Sequence, residues 1–294
     1  MPLSQAQVDE LRVTGTSAFE TTLSQAVDET YKLFTMQESF GSEGYVPLML
    51  SGIGAGQEWV DKRIMHDVTE YGIKYEGKVY ENSIKRKNTA VADSIVATAS
   101  KVGAELAKDA RQDSALRALN VLKANIKGFD QESLFGTHTY SAAAGAPSFN
   151  NDIEGPNFPW YLLNDYSLIE ATRTDENTTF AVNGGTPDSY LGFHEDKVAM
   201  GWRHRKIFAP AFWANSVRSC APLTSANLRA AMNLQTKFKN DAGKRLGTKA
   251  KYLVVGTSNA AAAEALIKAA LIDGGNTNLD LGRLQLVVLD DLED

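Results

Sequence analysis

The longest run of regular hydrophobic spacing lies between Thr89 and Lys127, and it predicts helix. Val91, Ile95, Ala99, Val102, Leu106 and Ala110 recur every three or four residues as one apolar stripe; Leu116, Leu119, Leu122 and Ile126 form a second. At about 100° per residue the second stripe lies well round from the first. The offset falls at Asp113 and Ser114, both capable N-cap residues, and predicts a bend or a change of packing partner there. No proline and one glycine, Gly103, interrupt the run. As a single helix it makes a rod roughly 50 Å long. Two consecutive core helices satisfy the same pattern.

Ahead of the rod, the pattern predicts a polar helix from Ser4 to about Leu11 and a second helix from Ser24 to Met36. Glycines surround the apolar segment Tyr45 to Leu50, and Tyr71 to Lys87 alternates apolar with charged residues, so residues 45–88 read as a projecting β-hairpin. A charged two-stranded ribbon is marginal alone and needs something to lie against. Beyond the rod, Gly128 is the expected helix stop and residues 129–160 read as loop. Trp160 to Arg173 reads as one strand, Asp175 to Asp196 as a polar, glycine-bearing connection, and Val198 to Ser216 as a long strand broken near Pro210. The C-terminal part reads as a compact α/β unit. Thr224 or Ser225 caps a helix through about Asn240, Lys251 to Val255 is a buried strand, Ser258 to Leu271 a helix, and Leu284 to Leu289 a last strand.

Composition narrows the function classes. The chain has 294 residues, a net charge of −6 and one cysteine, Cys220, so no internal disulfide framework is available. The start lacks a signal-peptide pattern and no apolar run is long enough for a membrane span, which predicts a soluble intracellular product. The acidic balance argues against a surface that grips nucleic acid throughout, although a shell wall facing nucleic acid needs no tight binding. The motif VVGTSNAAAAEAL places strand, turn and helix start where a dinucleotide would bind, yet supplies only Gly256 where three glycines are required. His66, His138, His194 and His204 are scattered without metal-ligand spacing, and Cys220 has no histidine partner pattern. No catalytic, cofactor-binding or metal residues are assigned. Lys78, Lys85, Arg86 and Lys87 form a basic run on the projecting element, which is read as an inter-subunit surface ahead of a nucleic-acid site.

Several segments resemble one family. Gly56, Glu58-Trp59, Arg63, Tyr71 and KVYENSIKR (Lys78 to Arg86) running into a long helix are similar to landmarks of Mu-type phage major head proteins. PWYLL (Pro159 to Leu163), FAPAFWANS (Phe208 to Ser216), APLT (Ala221 to Thr224), AGKRLGTKAKYLVV (Ala242 to Val255) and RLQLVV (Arg283 to Val288) follow in the same order. The resemblance implies an α+β, Hong Kong 97-like phage capsid fold. On that map residues 1–44 are an N-terminal arm, 45–88 the E-loop, and 89–222 a peripheral domain with its spine helix at 89–127. An α/β axial domain then occupies 223–282, and 283–294 is a strand returning to the peripheral domain. It further implies hexamers and pentamers closing into an icosahedral shell around double-stranded DNA without sequence-specific binding. The subunits would be assembled in the host bacterial cytoplasm and end in the virion, with no membrane contact. Since the arm is too short for an internal scaffolding domain, a separate scaffolding protein and a portal are expected partners. Glu58, Trp59 and Arg63 would lie where neighbouring subunits overlap. Two other readings stand beside it: the shell of an encapsulin-like protein compartment, and a nucleotide-using enzyme of α/β class.

Overall fold

Helix begins near the N terminus and runs further than the spacing predicts. The structure is a computed structural model that describes residues 2–25, 29–41, 44–47, 49–50, 70–71, 73–139, 148–240, 243–272 and 276–293. Gln5–Ser24 (α1) is one helix, started by a reciprocal capping box between Ser4 and Gln7. It continues through Gly15 because another helix crosses it there: a Cβ on Gly103 would meet the Gly15 carbonyl oxygen at 2.4 Å. The second predicted helix is instead a 3-10 turn, Thr30–Phe34, leading into the strand Thr35–Phe40 (β1). Gly44–Tyr45 (β2), Met49–Leu50 (β3), Glu70–Tyr71 (β4) and Tyr75–Glu76 (β5) form two nested antiparallel ladders, β2 with β5 and β3 with β4. Glu58, Trp59 and Arg63 lie outside the described residues.

Lys78–Lys87 (β6) leads through Asn88–Ala92 (α2) into Ile95–Lys123 (α3). The rod is therefore broken at Asp93 and Ser94, while α3 passes through Asp113 and Ser114 uninterrupted for about 44 Å. It stops before Gly128, at Asn125, which adopts the left-handed conformation (φ 50°) and holds both the amide and the carbonyl of Phe135 with its side chain.

Thr137–Thr139 (β7), Ser148–Asn150 (β8) and Asp152–Ile153 (β9) lie in the stretch read as loop. Trp160–Leu163 (β10) and Leu168–Arg173 (β11) divide the single predicted strand, because a turn at Asn164 and Ser167 sends them to different sheets. Thr179–Gly184 (β12) and Tyr190–Glu195 (α4) occupy the polar connection, and Lys197–Pro210 (β13) ends at the proline. Val217–Ser219 (β14), Ser225–Gln235 (α5, capped by Thr224), Tyr252–Val255 (β15) and Thr257–Ile267 (α6) follow. Leu271–Ile272 (β16), Asn276–Thr277 (β17) and Gln285–Val288 (β18) close the order.

Two five-stranded sheets organise these elements. In the first, β13 is the axis. Lys206 pairs with both Thr172 and Lys78, and Trp202 with both Phe180 and Asn82, so β11 and β12 lie along one edge of β13 and β6 along the other. Strand β1 extends the sheet by pairing in parallel with β11. The second sheet runs β18-β15-β10-β14-β9.

Helix α3 joins the two. Its first half packs with α1 on the first sheet, burying Ala99, Val102, Leu106 and Ala110 against Leu11, Phe19, Met200 and Trp202. Its second half buries Ala118, Leu119, Val121 and Leu122 in another core, built on the second sheet with α5 and α6. The shift of stripe at Asp113 and Ser114 thus marks a change of packing partner along a continuous helix. No helix among the described residues is long and apolar enough to cross a membrane.

Candidate assembly surface

Chemistry that resembled a nucleotide site is occupied by the chain itself. At the start of α6, Thr257 Oγ1, the Ser258 amide and Ser258 Oγ all donate to the Glu293 carboxylate, at 3.1, 2.9 and 2.6 Å. These bonds, from the Ser258 side chain first, hold Glu293 below the usual carboxylate range. Gly256 is required for this closure, since a Cβ there would stand 2.2 Å from Glu293 Oε1. The single glycine thus makes room for an internal acid on a helix N terminus.

The histidines are spread out. His66 lies outside the described residues, and His138 is buried, with Nδ1 2.6 Å from Asp130 Oδ2 and its ring stacked 4.5 Å from Trp213. His194 sits on α4. Among the described residues no group of three or more His, Cys, Asp or Glu side chains could hold a metal ion.

Strand β6 carries the basic run, and its alternation divides those residues between two faces. Asn82, Ile84 and Arg86 face α3 and line a groove of about 520 Å³ whose far wall includes Val102, Leu106 and Asp109. Lys85 lies 3.6 Å from Glu195, which also accepts from Lys197 at 3.0 Å; the Lys197 bond in particular holds that carboxylate low. Lys85 therefore has a partner within its own chain. Lys78, Arg86 and Lys87 make no ion pair among the described residues and are exposed.

Beneath this surface a polar seam fixes α3 to the first sheet, and spacing alone did not reveal it. Trp202 Nε1 and Asn82 Nδ2 both donate to Asp109 Oδ2, at 2.5 and 2.9 Å. Arg117 pairs with Asp113 at 2.8 Å and lies 3.6 Å over the Tyr80 ring. Lys206 Nζ donates to Glu170 Oε1 and Ser114 Oγ, while Tyr31 Oη donates to Glu170 Oε2. Burial pushes Glu170 up, but the Lys206 charge and hydrogen bond, with those from Tyr31 and Gln37, hold it below the carboxylate range.

His204 lies in the same seam, 1 % exposed and stacked on Trp202, with neither ring nitrogen hydrogen-bonded. Burial, then the Lys206 charge, depresses its pKa from 6.5 to about 4, against the pull of Asp113 and Glu170. A histidine kept neutral by the fold contributes stability that is whole above pH 6.5 and is lost as pH falls towards 4. The loss amounts to about 3 kcal/mol. His204→Phe is expected to leave neutral-pH stability within about 1.5 kcal/mol of wild type. Between pH 6.5 and 4 it should lose correspondingly less, as urea denaturation of unassembled subunits at both ends of that range would show. Parallel losses in the two proteins would contradict the assignment.

Comparison with known proteins agrees with this architecture of one long helix tying two sheets together. The sequence profile of the family described as "Mu-like prophage major head subunit gpT" matches residues 8–292. The major capsid protein of Escherichia phage Mu is 24% identical over 274 residues, covering 87% of this chain and 86% of that protein. The fold is similar to the chain of the bacteriophage JBD30 procapsid, with a TM-score of 0.81 at 20% identity over 99% of this chain and 100% of that one. It is also similar to a chain of the JBD30 capsid decorated with minor capsid protein trimers, with a TM-score of 0.71 at 14% identity over 91% and 92%. The chain belongs to the Mu-like prophage major head subunit gpT family and is a structural subunit of a phage capsid, not an enzyme.

Proposed function

We propose that this chain assembles with itself into hexamers and pentamers that close as an icosahedral shell around double-stranded DNA, with a separate scaffolding protein and a portal as partners. The observation that carries the reading is the family match over residues 8–292 on a fold similar to the JBD30 procapsid chain along its whole length. In Hong Kong 97-like terms, residues 1–44 are the arm, 45–88 the E-loop, 89–222 the peripheral domain with the spine at 89–127, 223–282 the axial domain and 283–294 the returning strand. Two features support that division. The nested ladders pair Gly44–Tyr45 with Tyr75–Glu76 and Met49–Leu50 with Glu70–Tyr71, as the two arms of a hairpin would. Lys123 near the end of α3 donates to the Asp291 carbonyl, so the last residues lie against the spine. Glu58, Trp59 and Arg63, with Lys78, Arg86 and Lys87, are the proposed contacts between subunits.

Expression of the chain with its phage partners, followed by electron microscopy, tests this. Closed shells built from six-fold and five-fold capsomers are expected. Small discrete oligomers under those conditions would overturn the reading, and closed shells filled with a protein cargo would assign the chain to a compartment instead.

A further inference from the structure

The chain as a whole is acidic, with a net charge of −6, but one stretch of it is strongly basic. Between Thr224 and Tyr252 stand Arg229, Lys237, Lys239, Lys244, Arg245 and Lys249, with Lys251 paired to Asp165. The stretch has a single acid, Asp241, which lies outside the described residues. From Lys237 to Lys249 the lysines and the arginine are exposed and make no ion pair among the described residues. Two local geometries show what this charge can hold.

The first is a fork of two guanidiniums. Asp280, in the loop between β17 and β18, is buried, and its Oδ1 accepts from Arg229 Nε at 3.0 Å and from Arg283 Nη1 at 3.1 Å. Its Oδ2 accepts from Ser225 Oγ at 2.5 Å. One carboxylate thus orients two cations and neutralises one of them. Both arginine side chains are partly exposed, and with Met232, Asn233 and Leu279 they line a hollow of about 300 Å³. Each guanidinium has five donors in a fixed plane, so most of them are left over from the bond to Asp280. Oriented donors with a surplus positive charge match the oxygens of a phosphate group.

The second geometry lies where α5 runs out. Lys237, four residues beyond Asn233, leads into a short hairpin in which the Asn240 amide donates to the Lys244 carbonyl and the Leu246 amide to the Phe238 carbonyl. Lys239 and Arg245 are therefore the opposed pair between those bonds, the kind that brings side chains closest across an antiparallel ladder. Like charges placed there repel and weaken the hairpin. An anion from outside relieves that repulsion, and a run of phosphates relieves it at the fork and the hairpin together.

We propose that the hollow between Arg229 and Arg283, extended along Lys237 to the hairpin pair Lys239 and Arg245, is a phosphate-binding surface that takes the backbone of double-stranded DNA without reading its sequence. With DNA as the source of the phosphates, this rests on the shell reading above. The test uses unassembled full-length subunits, a labelled mixed-sequence DNA duplex and, as the small-phosphate arm, sodium triphosphate. At about 50 mM salt the duplex should bind, with an affinity that falls steeply as salt rises. Arg283→Gln leaves Asp280 its bonds from Arg229 and Ser225 but removes the surplus charge, and Lys239→Gln with Arg245→Gln removes the opposed pair. Each variant should weaken duplex binding roughly fivefold or more, and the slope of log affinity against log salt should shrink by about one for the first and about two for the second. Arg283→Gln should melt within about 3 °C of wild type, and the hairpin variant no lower than wild type, since it loses a repulsion. A clear fall in the hairpin variant's melting temperature would make its two residues structural and overturn their role. Triphosphate that displaces the duplex only at a hundredfold or greater excess supports DNA as the source; triphosphate that binds as tightly as the duplex would overturn DNA and give the hollow to a small phosphate. Unchanged affinity and slope in both variants would overturn the proposal, as would binding of neither probe, or an equal loss in the control Lys108→Gln with Lys268→Gln, whose charges lie on α3 and just beyond α6. Subunits that bind the duplex in this way but never build shells would sink the shell reading and leave the phosphate surface standing. Shells built from subunits that ignore both probes would do the reverse.

Discussion

Asn151→Asp is expected to remove about 4 kcal/mol of subunit stability at neutral pH. A domain's whole stability is roughly 5–15 kcal/mol. Asn151 is fully buried, and its Nδ2 donates towards the carbonyls of Leu134, Trp213 and Ser216 at 2.8, 3.1 and 3.0 Å. Its Oδ1 accepts from the Gly136 amide at 2.9 Å. One side chain thus ties the loop after α3 to the turn after β13, at the junction of the two sheets. Aspartate has the same shape but turns the donor into an acceptor facing three carbonyl oxygens. Its carboxyl would have a folded pKa raised above the unfolded value of about 3.9, since burial and those oxygens both disfavour the charge. The destabilisation should therefore grow as pH rises from about 4 and shrink on acidification, opposite to the His204 effect. Urea denaturation of both proteins at pH 7 and 4.5 measures it, and a variant within about 1 kcal/mol of wild type at pH 7 would refute the role given to Asn151.

The parts of this fold that were legible in sequence are those set by local pattern. Thr224 caps α5 as expected, Pro210 ends β13, and the shift of apolar stripe at Asp113 and Ser114 separates the two cores that α3 serves. What was hidden depends on distant residues. The first helix outruns its predicted end near Leu11, passing Gly15 where Gly103 lies against it, and the helix predicted from Ser24 to Met36 runs into the start of β1 because the strand's partner β11 is about 130 residues away in the chain. The stretch Trp160–Arg173 divides because its two halves pair with different strands. Of the residues proposed as subunit contacts, the basic run on β6 lies exposed, but Lys85 is drawn to Glu195, 110 residues on. Helix α4 escaped notice because a six-residue helix has too few turns to show a period. Glu293 escaped for another reason. A single carboxylate near the end of the chain carries no pattern, and only the fold brings it to the start of α6.

Lys206→Met should cost about 3–5 kcal/mol, because it strands a buried carboxylate. Glu170 is 2% exposed, and Lys206 Nζ lies 2.5 Å from it and 3.0 Å from Ser114 Oγ. The pair therefore grips α3 at the residue where the helix passes from one core to the other. Adding Glu170→Gln to Lys206→Met removes the stranded charge while keeping an acceptor for Tyr31, so the double variant is expected to recover at least half of the loss. A coupling energy of about 2 kcal/mol in the double-mutant cycle would express the same fact. The pH dependence separates this from simple loss of packing. In wild type, Glu170 is held low, so its contribution is present above the unfolded carboxylate pKa and is lost as pH falls through the folded one. In Lys206→Met, burial acts without its counterweight, the folded pKa rises above the unfolded value, and lowering the pH should stabilise the variant relative to wild type. Urea denaturation at neutral and acidic pH distinguishes the two slopes. Equal destabilisation of the single and double variants at every pH would show that the charge pair does not hold α3 to the sheet. If the pair does hold it, the Lys206→Met subunit should also assemble less than the double variant, since a spine loosened at Ser114 no longer transmits a fixed geometry between its two cores.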